Sequence, residues 1–258
     1  MICCYFLIVM QIIFESFPIS SSGHCFLLEH MFINCQLPSQ YNHLRSYIMY
    51  ALHIPTALVI MLYFFKEWSF PFKHVERCWP IILKIILYTA SADLITLSLY
   101  ILKQSVEVHM PLSIGFIVTA LSLYSLRWCK DVELQPWSLS KAIILGLVQS
   151  IAFLPGISRL GITFVAARWM SISSRRAFQI ALLIQFPLII ISSSYALYIL
   201  SPIYSELLNM ISLSVMLGAG VIAYIGISLV GYMVKWHIMW LWSIYMLIPI
   251  IISILWEV

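Results

Sequence analysis

Residues 11–24 read QIIFESFPISSSGH. An apolar run meets a carboxylate, four serines, a glycine and a histidine between residues 15 and 24. Pro18 has no N–H and crowds the preceding turn, so a helix that reaches it ends there. The Ser/Gly turn that follows opens a second helix, whose first N–H groups have no partner within the helix. In water this would be an ordinary capped turn. Inside a membrane it is a broken helix, tolerated only when buried in protein or lining a wet cavity.

Composition decides between the two. The 258-residue chain is 62% hydrophobic and 9% charged, with mean hydropathy +0.99. Soluble domains carry roughly 25% charged residues, so this is an integral membrane protein. Its long continuous apolar runs argue for helices over a barrel, whose strands alternate over about 10 residues. The net charge of +4 includes no basic block, and no nucleic-acid partner is expected. The six cysteines show no CxxC or Cys/His zinc spacing and read as small apolar residues. Residues 1–14 lack a basic n-region and read as part of the working chain, not a signal peptide.

Apolar segments lie near 1–14, 46–65, 80–102, 111–128, 141–154, 178–200, 211–234 and 238–256. The first and fifth are short of the roughly 20 residues that a span needs. Each runs into a Pro/Ser/Gly cluster, FPISSSGH and LPGISRLG. The expected fold is all-α: a polytopic membrane protein with two re-entrant helical hairpins plus about six transmembrane helices. Gln11 precedes Pro18, Ile19, Ser20, Ser21 and Gly23, as Gln149 precedes Pro155, Ile157, Ser158, Arg159 and Gly161. One membrane domain, 1–258, thus divides into a repeat near 1–128 and another near 138–258. A hairpin plus three spans is an odd number of crossings, so the copies are expected to be inverted. The site is then expected where the two breaks meet.

Lys66, Lys73, Arg77, Arg127, Lys130, Lys141, Arg175, Arg176 and Lys235 fall in one set of loops, against Arg45 and Lys103 in the other. The first set is expected to be cytoplasmic, and the PGISR tip then points outward.

Gln11 and Glu15 stand one helical turn apart on one face, a pairing able to hold a divalent cation or orient a nucleophile. Ser20, Ser22 and Gly23 belong to a turn suited to an anion. Ser21 offers a hydroxyl nucleophile, and His24 a proton carrier near neutral pH. The bland alternative is a capped break whose serines satisfy their own backbone. In PGISRLGIT, Pro155 and Gly156 break a helix ahead of Ser158, Arg159 and Thr163. A guanidinium beside hydroxyls at a hairpin tip binds phosphate oxygens in pairs, unless it merely snorkels to the interface. Together these groups specify phosphoryl transfer, which depends on positioning and charge neutralisation, with a phosphorylated lipid as the substrate. Three further polar residues are less telling. Asp93 could pair with Lys84 or Lys103 or line a cavity. His53 reads as a packed, hydrogen-bonded side chain. Arg168 is either a second phosphate contact or a snorkelling residue.

The two motifs resemble those of the undecaprenyl-diphosphate phosphatase family, the integral-membrane type also named for bacitracin resistance. Its [E/Q]xxxE and FxPxSSxGH elements are matched by QIIFESFPISSSGH, and its PGxSRSxxT by PGISRLGIT. The segment ALHIPTALVIMLYFFKE, the length and the span order are also similar. The resemblance implies hydrolysis of undecaprenyl diphosphate to undecaprenyl phosphate and inorganic phosphate, which recycles the lipid carrier for cell-wall glycan synthesis. It implies a divalent cation, Mg²⁺ or Ca²⁺, and a site on the outer side of the cytoplasmic (inner) membrane. The partners would be a polyisoprenyl diphosphate, membrane lipids and, for assembly, a second copy of the chain. By motif position Ser21 is the nucleophile, with His24 as the other reading of that role or as acid/base. Glu15 and Gln11 take the metal or activating position, and Gly156, Ser158, Arg159 and Thr163 line the diphosphate.

The chain departs from the family pattern at Leu160 and Pro55 and has the uncharged permitted variant at Gln11. Gln11 brings no charge to a metal, Leu160 replaces the second serine of SRS, and Pro55 stands where glycine is usual. The core groups survive, so activity is expected, with Gln11 and Leu160 the positions able to reduce it. The phosphatidic-acid phosphatase pattern needs a histidine after the SR element, and LGITFVAARWM contains none. A lipid-phosphate transporter would use the same architecture, but it has no need of a nucleophile. A non-catalytic remnant is the remaining alternative.

Overall fold

The computed structural model describes residues 2–31, 44–105, 110–129, 135–203 and 210–256; Cys35 and Lys130 lie outside them. Every described element is helical. The first hairpin is α1 (Ile2–Glu15) against α2 (Ser21–Met31), and the second is α8 (Leu139–Ile151) against α9 (Arg159–Trp169). Between them run α3 (Arg45–Ala51), α4 (His53–Tyr63), α5 (Phe65–Lys73), α6 (Val75–Gln104) and α7 (Leu112–Ser125). After the second hairpin come α10 (Ser174–Leu200), α11 (Met210–Lys235), α12 (Trp242–Tyr245) and α13 (Leu247–Leu255).

Four helical stretches are long and apolar enough to cross a bilayer: 46–63, 75–103, 174–200 and 213–235. The other two expected spans, 112–128 and 239–255, are shorter apolar helices, a mismatch that bilayers absorb by local thinning. The stretch 46–63 is interrupted at Leu52, between α3 and α4. Pro55 accounts for the interruption, because its ring excludes a regular turn back to the carbonyl of Ala51 and it donates no N–H. As the third residue of α4 it stands where an N–H would be free in any case. Large apolar side chains cover the outside, among them Leu94, Leu102, Leu217, Ile225 and Leu255. In a polytopic protein that surface faces lipid.

The interior has two apolar clusters. One gathers Ile12, Ile60, Leu145, Phe164, Phe178, Ile184 and Ile227 from α1, α4, α8, α9, α10 and α11. The other joins Ile19, Leu27, Leu112, Phe116 and Met246 around α2 and α7. Between them the two breaks touch. A Cβ on Gly23 would stand 3.0 Å from the Cα of Gly156, and one on Gly161 would stand 3.0 Å from the carbonyl oxygen of Pro18. Helix α7 closes the arrangement. A Cβ on its Gly115 would lie 1.8 Å from the carbonyl oxygen of Pro155. Gly156 has φ +80°, a left-handed conformation that a side chain disfavours.

Gly115→Ala is therefore expected to lower stability by about 1–3 kcal/mol, seen as a lower melting temperature in detergent. Gly218→Ala, where a Cβ meets nothing within 4 Å, should be neutral or mildly stabilising. Equal melting temperatures for wild type and Gly115→Ala would contradict the packing of α7 on the second break.

Candidate active site

The two breaks are capped in the same way. Ser20 Oγ accepts from the N–H of Gly23 at 3.2 Å, and Ser158 Oγ accepts from the N–H of Gly161 at 3.1 Å. Each serine is an N-cap bonding the third residue of its helix. Ser21 and Arg159 consequently occupy the same place, the first residue of α2 and of α9. Both lie at helix N-termini, where free N–H groups and the helix dipole favour an anion.

The second break is tied further by Thr119 of α7. Its hydroxyl donates to the Gly156 carbonyl at 3.0 Å and accepts from the Ser158 N–H at 3.0 Å. At the first break the ring of His24 approaches the Ser20 carbonyl at 2.7 Å through Nδ1. Five of the backbone groups at the breaks thus have side-chain partners within the protein, a need that hydrocarbon imposes.

Between the breaks lies a cavity of about 570 Å³, within the usual range for a ligand site. Its walls include Glu15, Ser21, His53, Lys103, Ser158 and Arg159. Ser21 Oγ donates to Glu15 Oε2, so a hydroxyl already rests on a carboxylate able to take its proton. Gln11 stands behind Ser21 and donates to the same Oγ at 3.3 Å. Its Oε1 is buried and has no partner. His53 Nδ1 lies 3.6 Å from Glu15 Oε2, an ion-pair separation longer than a hydrogen bond. Arg159 is part-exposed to the cavity, and its Nε is buried with no hydrogen-bond partner.

The sequence-predicted residues divide into two groups. Glu15, Ser20, Ser21, Ser22, Gly23, Ser158 and Arg159 come together on the cavity wall. Gln11, His24, Gly156 and Thr163 are buried behind it. His24 is 5% exposed and sits in a box of Phe14, Phe116 and Tyr245, with ring centroids 4.9, 5.1 and 5.8 Å away. Gly156 serves the backbone contact with α7. Thr163 is fully buried and its Oγ1 has no partner.

The polar residues whose place in the cavity was not read from sequence are His53, Lys103, Tyr50, Tyr100 and Gln185. For His53 a signal was present: a histidine at the start of a helix broken by Pro55, within an apolar span. Asp93 pairs with neither lysine. Lys84 is exposed, Lys103 turns to the Phe153 carbonyl, and Asp93 faces the Gln149 amide. Arg168 neither reaches the cavity nor snorkels. It is buried, and its Nη1 donates to the Ile172 carbonyl at 2.6 Å, tying the turn after α9.

The pattern of the bacitracin resistance protein BacA family matches residues 5–252. The chain belongs to that family. Among similar proteins is an undecaprenyl-diphosphatase of Thermotoga petrophila, 29% identical over 81% of this chain and 86% of its own length. Undecaprenyl-diphosphatase 3 of Bacillus cereus is 26% identical over 88% of this chain and 85% of its own length. An undecaprenyl-diphosphatase of Jannaschia sp. is 28% identical over 74% of each chain. Within this BacA-family chain Leu160, the departure beside Arg159, is 3% exposed and belongs to the larger apolar cluster.

The two histidines should respond differently to truncation. His24→Ala empties an aromatic box and is expected to cost about 2–4 kcal/mol of stability. His53→Ala, on the cavity wall, should shift the melting temperature far less. Equal losses in thermal unfolding would overturn this division.

Proposed function

We propose that the chain hydrolyses undecaprenyl diphosphate to undecaprenyl phosphate and inorganic phosphate, recycling the lipid carrier for cell-wall glycan synthesis. Family membership and the relatives' activity support the reaction. The observation that carries it to this chain is the Ser21–Glu15 hydrogen bond facing Arg159 across one cavity. A transporter needs the arginine but not a hydroxyl held on a carboxylate.

In this reading Arg159 and the free N–H groups at the starts of α2 and α9 hold the terminal phosphate. Ser21 Oγ attacks the terminal phosphorus while its proton passes to Glu15. The bridging P–O bond breaks and undecaprenyl phosphate leaves. Water then cleaves the phosphoserine, Glu15 returns its proton to Oγ, and inorganic phosphate departs. Gln11 orients the nucleophile by its bond to Oγ. His53 steadies the carboxylate, and His24 holds the first break.

A divalent cation fits the residues present. Glu15 on the wall and the unpartnered Gln11 Oε1 behind it are oxygen donors. Among the described residues no group of three His, Cys, Asp or Glu forms a complete cage. Such a partial set suits an ion that keeps waters and substrate phosphates as ligands. Bound at Glu15 and Gln11, the ion would supply charge neutralisation to the phosphates.

The site is assigned to the outer side of the cytoplasmic membrane. Lys66, Arg175 and Lys235, expected on the cytoplasmic side, line a second cavity of about 820 Å³ that shares no lining residue with the first. Their meeting supports the alternation read from the loops, and with it two inverted repeats near 1–128 and 138–258.

Phosphate release from undecaprenyl diphosphate in detergent tests the reading. With Mg²⁺ or Ca²⁺ the wild type should turn over, and chelator should abolish release. Ser21→Ala should lose about 10³-fold or more in kcat, and Arg159→Ala about 10²–10³-fold. Folded wild type that releases no phosphate with either cation would refute the hydrolase.

A further inference from the structure

Helix α6 carries four polar side chains at one helical spacing: Asp93, Thr96, Tyr100 and Lys103. Steps of three and four residues place them on one face. That face is turned to α8 and to the break that follows it. Thr96 Oγ1 reaches the Gly146 carbonyl at 3.0 Å and accepts from Gln149 Nε2 at 3.3 Å. The ring of Tyr100 lies 4.9 Å from that of Phe153. Lys103 Nζ donates to the Phe153 carbonyl, which belongs to the unwound segment between α8 and α9.

This contact cannot slide easily. A Cβ on Gly146 would stand 2.5 Å from the Ala92 carbonyl oxygen, so the two helices meet backbone to backbone. The close approach fixes where the last turn of α6 arrives. Lys103 is part-buried there, on the wall of the same cavity as Ser21 and Arg159.

A lysine ammonium has three donors. One goes to Phe153, which leaves two for what fills the cavity. Among the described residues, the charged side chains lining that cavity are Glu15, Lys103 and Arg159. One carboxylate against two cations makes this described lining net positive, and that balance suits a ligand with several negative charges. Beside Arg159, where the family motif has a second serine, this chain has the apolar, buried Leu160. No hydroxyl stands at that position, and among the described residues Lys103 is the cationic donor on the cavity wall besides Arg159.

We propose that Lys103 is a second phosphate-binding cation, gripping the diphosphate together with Arg159 from the two sides of the α8–α9 break. It favours the diphosphate substrate over the less charged monophosphate product. The inference rests on the diphosphate reading of this cavity, and two measurements separate the two claims. The first is KM and kcat for phosphate release from undecaprenyl diphosphate by wild type, Lys103→Gln and Lys103→Arg. The second is equilibrium binding of a radiolabelled methylene-bridged isoprenoid diphosphate, which cannot be hydrolysed, and its displacement by the isoprenoid monophosphate, with the same three solubilised proteins.

Lys103→Gln is expected to raise KM and weaken analogue binding about tenfold, the loss of one charge-assisted hydrogen bond. Its kcat should change little, its preference for diphosphate over monophosphate should narrow, and Lys103→Arg should restore binding. A lysine that only caps the Phe153 carbonyl would lower the melting temperature and leave KM, analogue affinity and preference unchanged. That result overturns the proposal while the hydrolase stands. Inactive wild type with tenfold weaker analogue binding in Lys103→Gln would reject the hydrolase and leave the binding role of Lys103 in place. Wild type that binds no analogue rejects the Lys103 proposal outright.

Discussion

Everything in this protein depends on two broken helices meeting inside a bilayer. Hydrocarbon offers no partner to an open N–H or C=O, and each one left unpaired costs several kcal/mol. The two breaks solve this together. Glycine at the third position of α2 lets Gly156 approach, and glycine at the third position of α9 lets Pro18 approach. Ser20, Ser158, Thr119 and His24 then satisfy the local backbone. A Cβ at Gly23 or Gly161 would force the facing backbone to give by a few tenths of an ångström.

The same closeness explains why the site is divided between halves of the chain. Ser21 and Arg159 are equivalent first residues of equivalent helices, yet one carries a hydroxyl and the other a cation. Two breaks capped alike thus present two helix N-termini to one cavity, and the occupants of the first helical position differ. Glu15 comes from the helix before one break. Lys103 comes from α6, held by its packing on the helix before the other. Charge is separated across the cavity, with carboxylate and hydroxyl on the α1–α2 side and cations on the α8–α9 side. In the proposed function a phosphoryl group would sit between them.

Much of this was legible from the residues. Pro18 and Pro155 fix the breaks through local sterics, and Ser-x-x-Gly after each fixes the caps. Both are short-range rules that a sequence displays. Which histidine lines the cavity was not legible, because that depends on side-chain direction and long-range packing. His24 is three residues from Ser21, yet its ring turns toward Phe116 and Tyr245. His53 is far away in sequence and arrives because α4 packs against α1. The apolar run of α6 likewise hides its polar face. Asp93, Thr96, Tyr100 and Lys103 form a stripe only once the helical period is applied. What the stripe meets depends on Gly146 admitting Ala92.

Leu160 is the position where packing and chemistry compete. A serine there would add a donor beside Arg159, but this side chain is 3% exposed in the larger apolar cluster. Burying leucine contributes about 1.5–3 kcal/mol relative to leaving it exposed, whereas a buried hydroxyl needs a partner to avoid a penalty. At this place the chain gains core contacts around α9 and gives up a neutral donor. A neutral hydrogen bond to phosphate is weaker than one from a cation. The loss is therefore one that a single well-placed ammonium can offset, provided that α6 stays fixed against α8. In the proposed role of Lys103, binding at the α8–α9 break would then rest on the helix contact at Gly146 and Ala92.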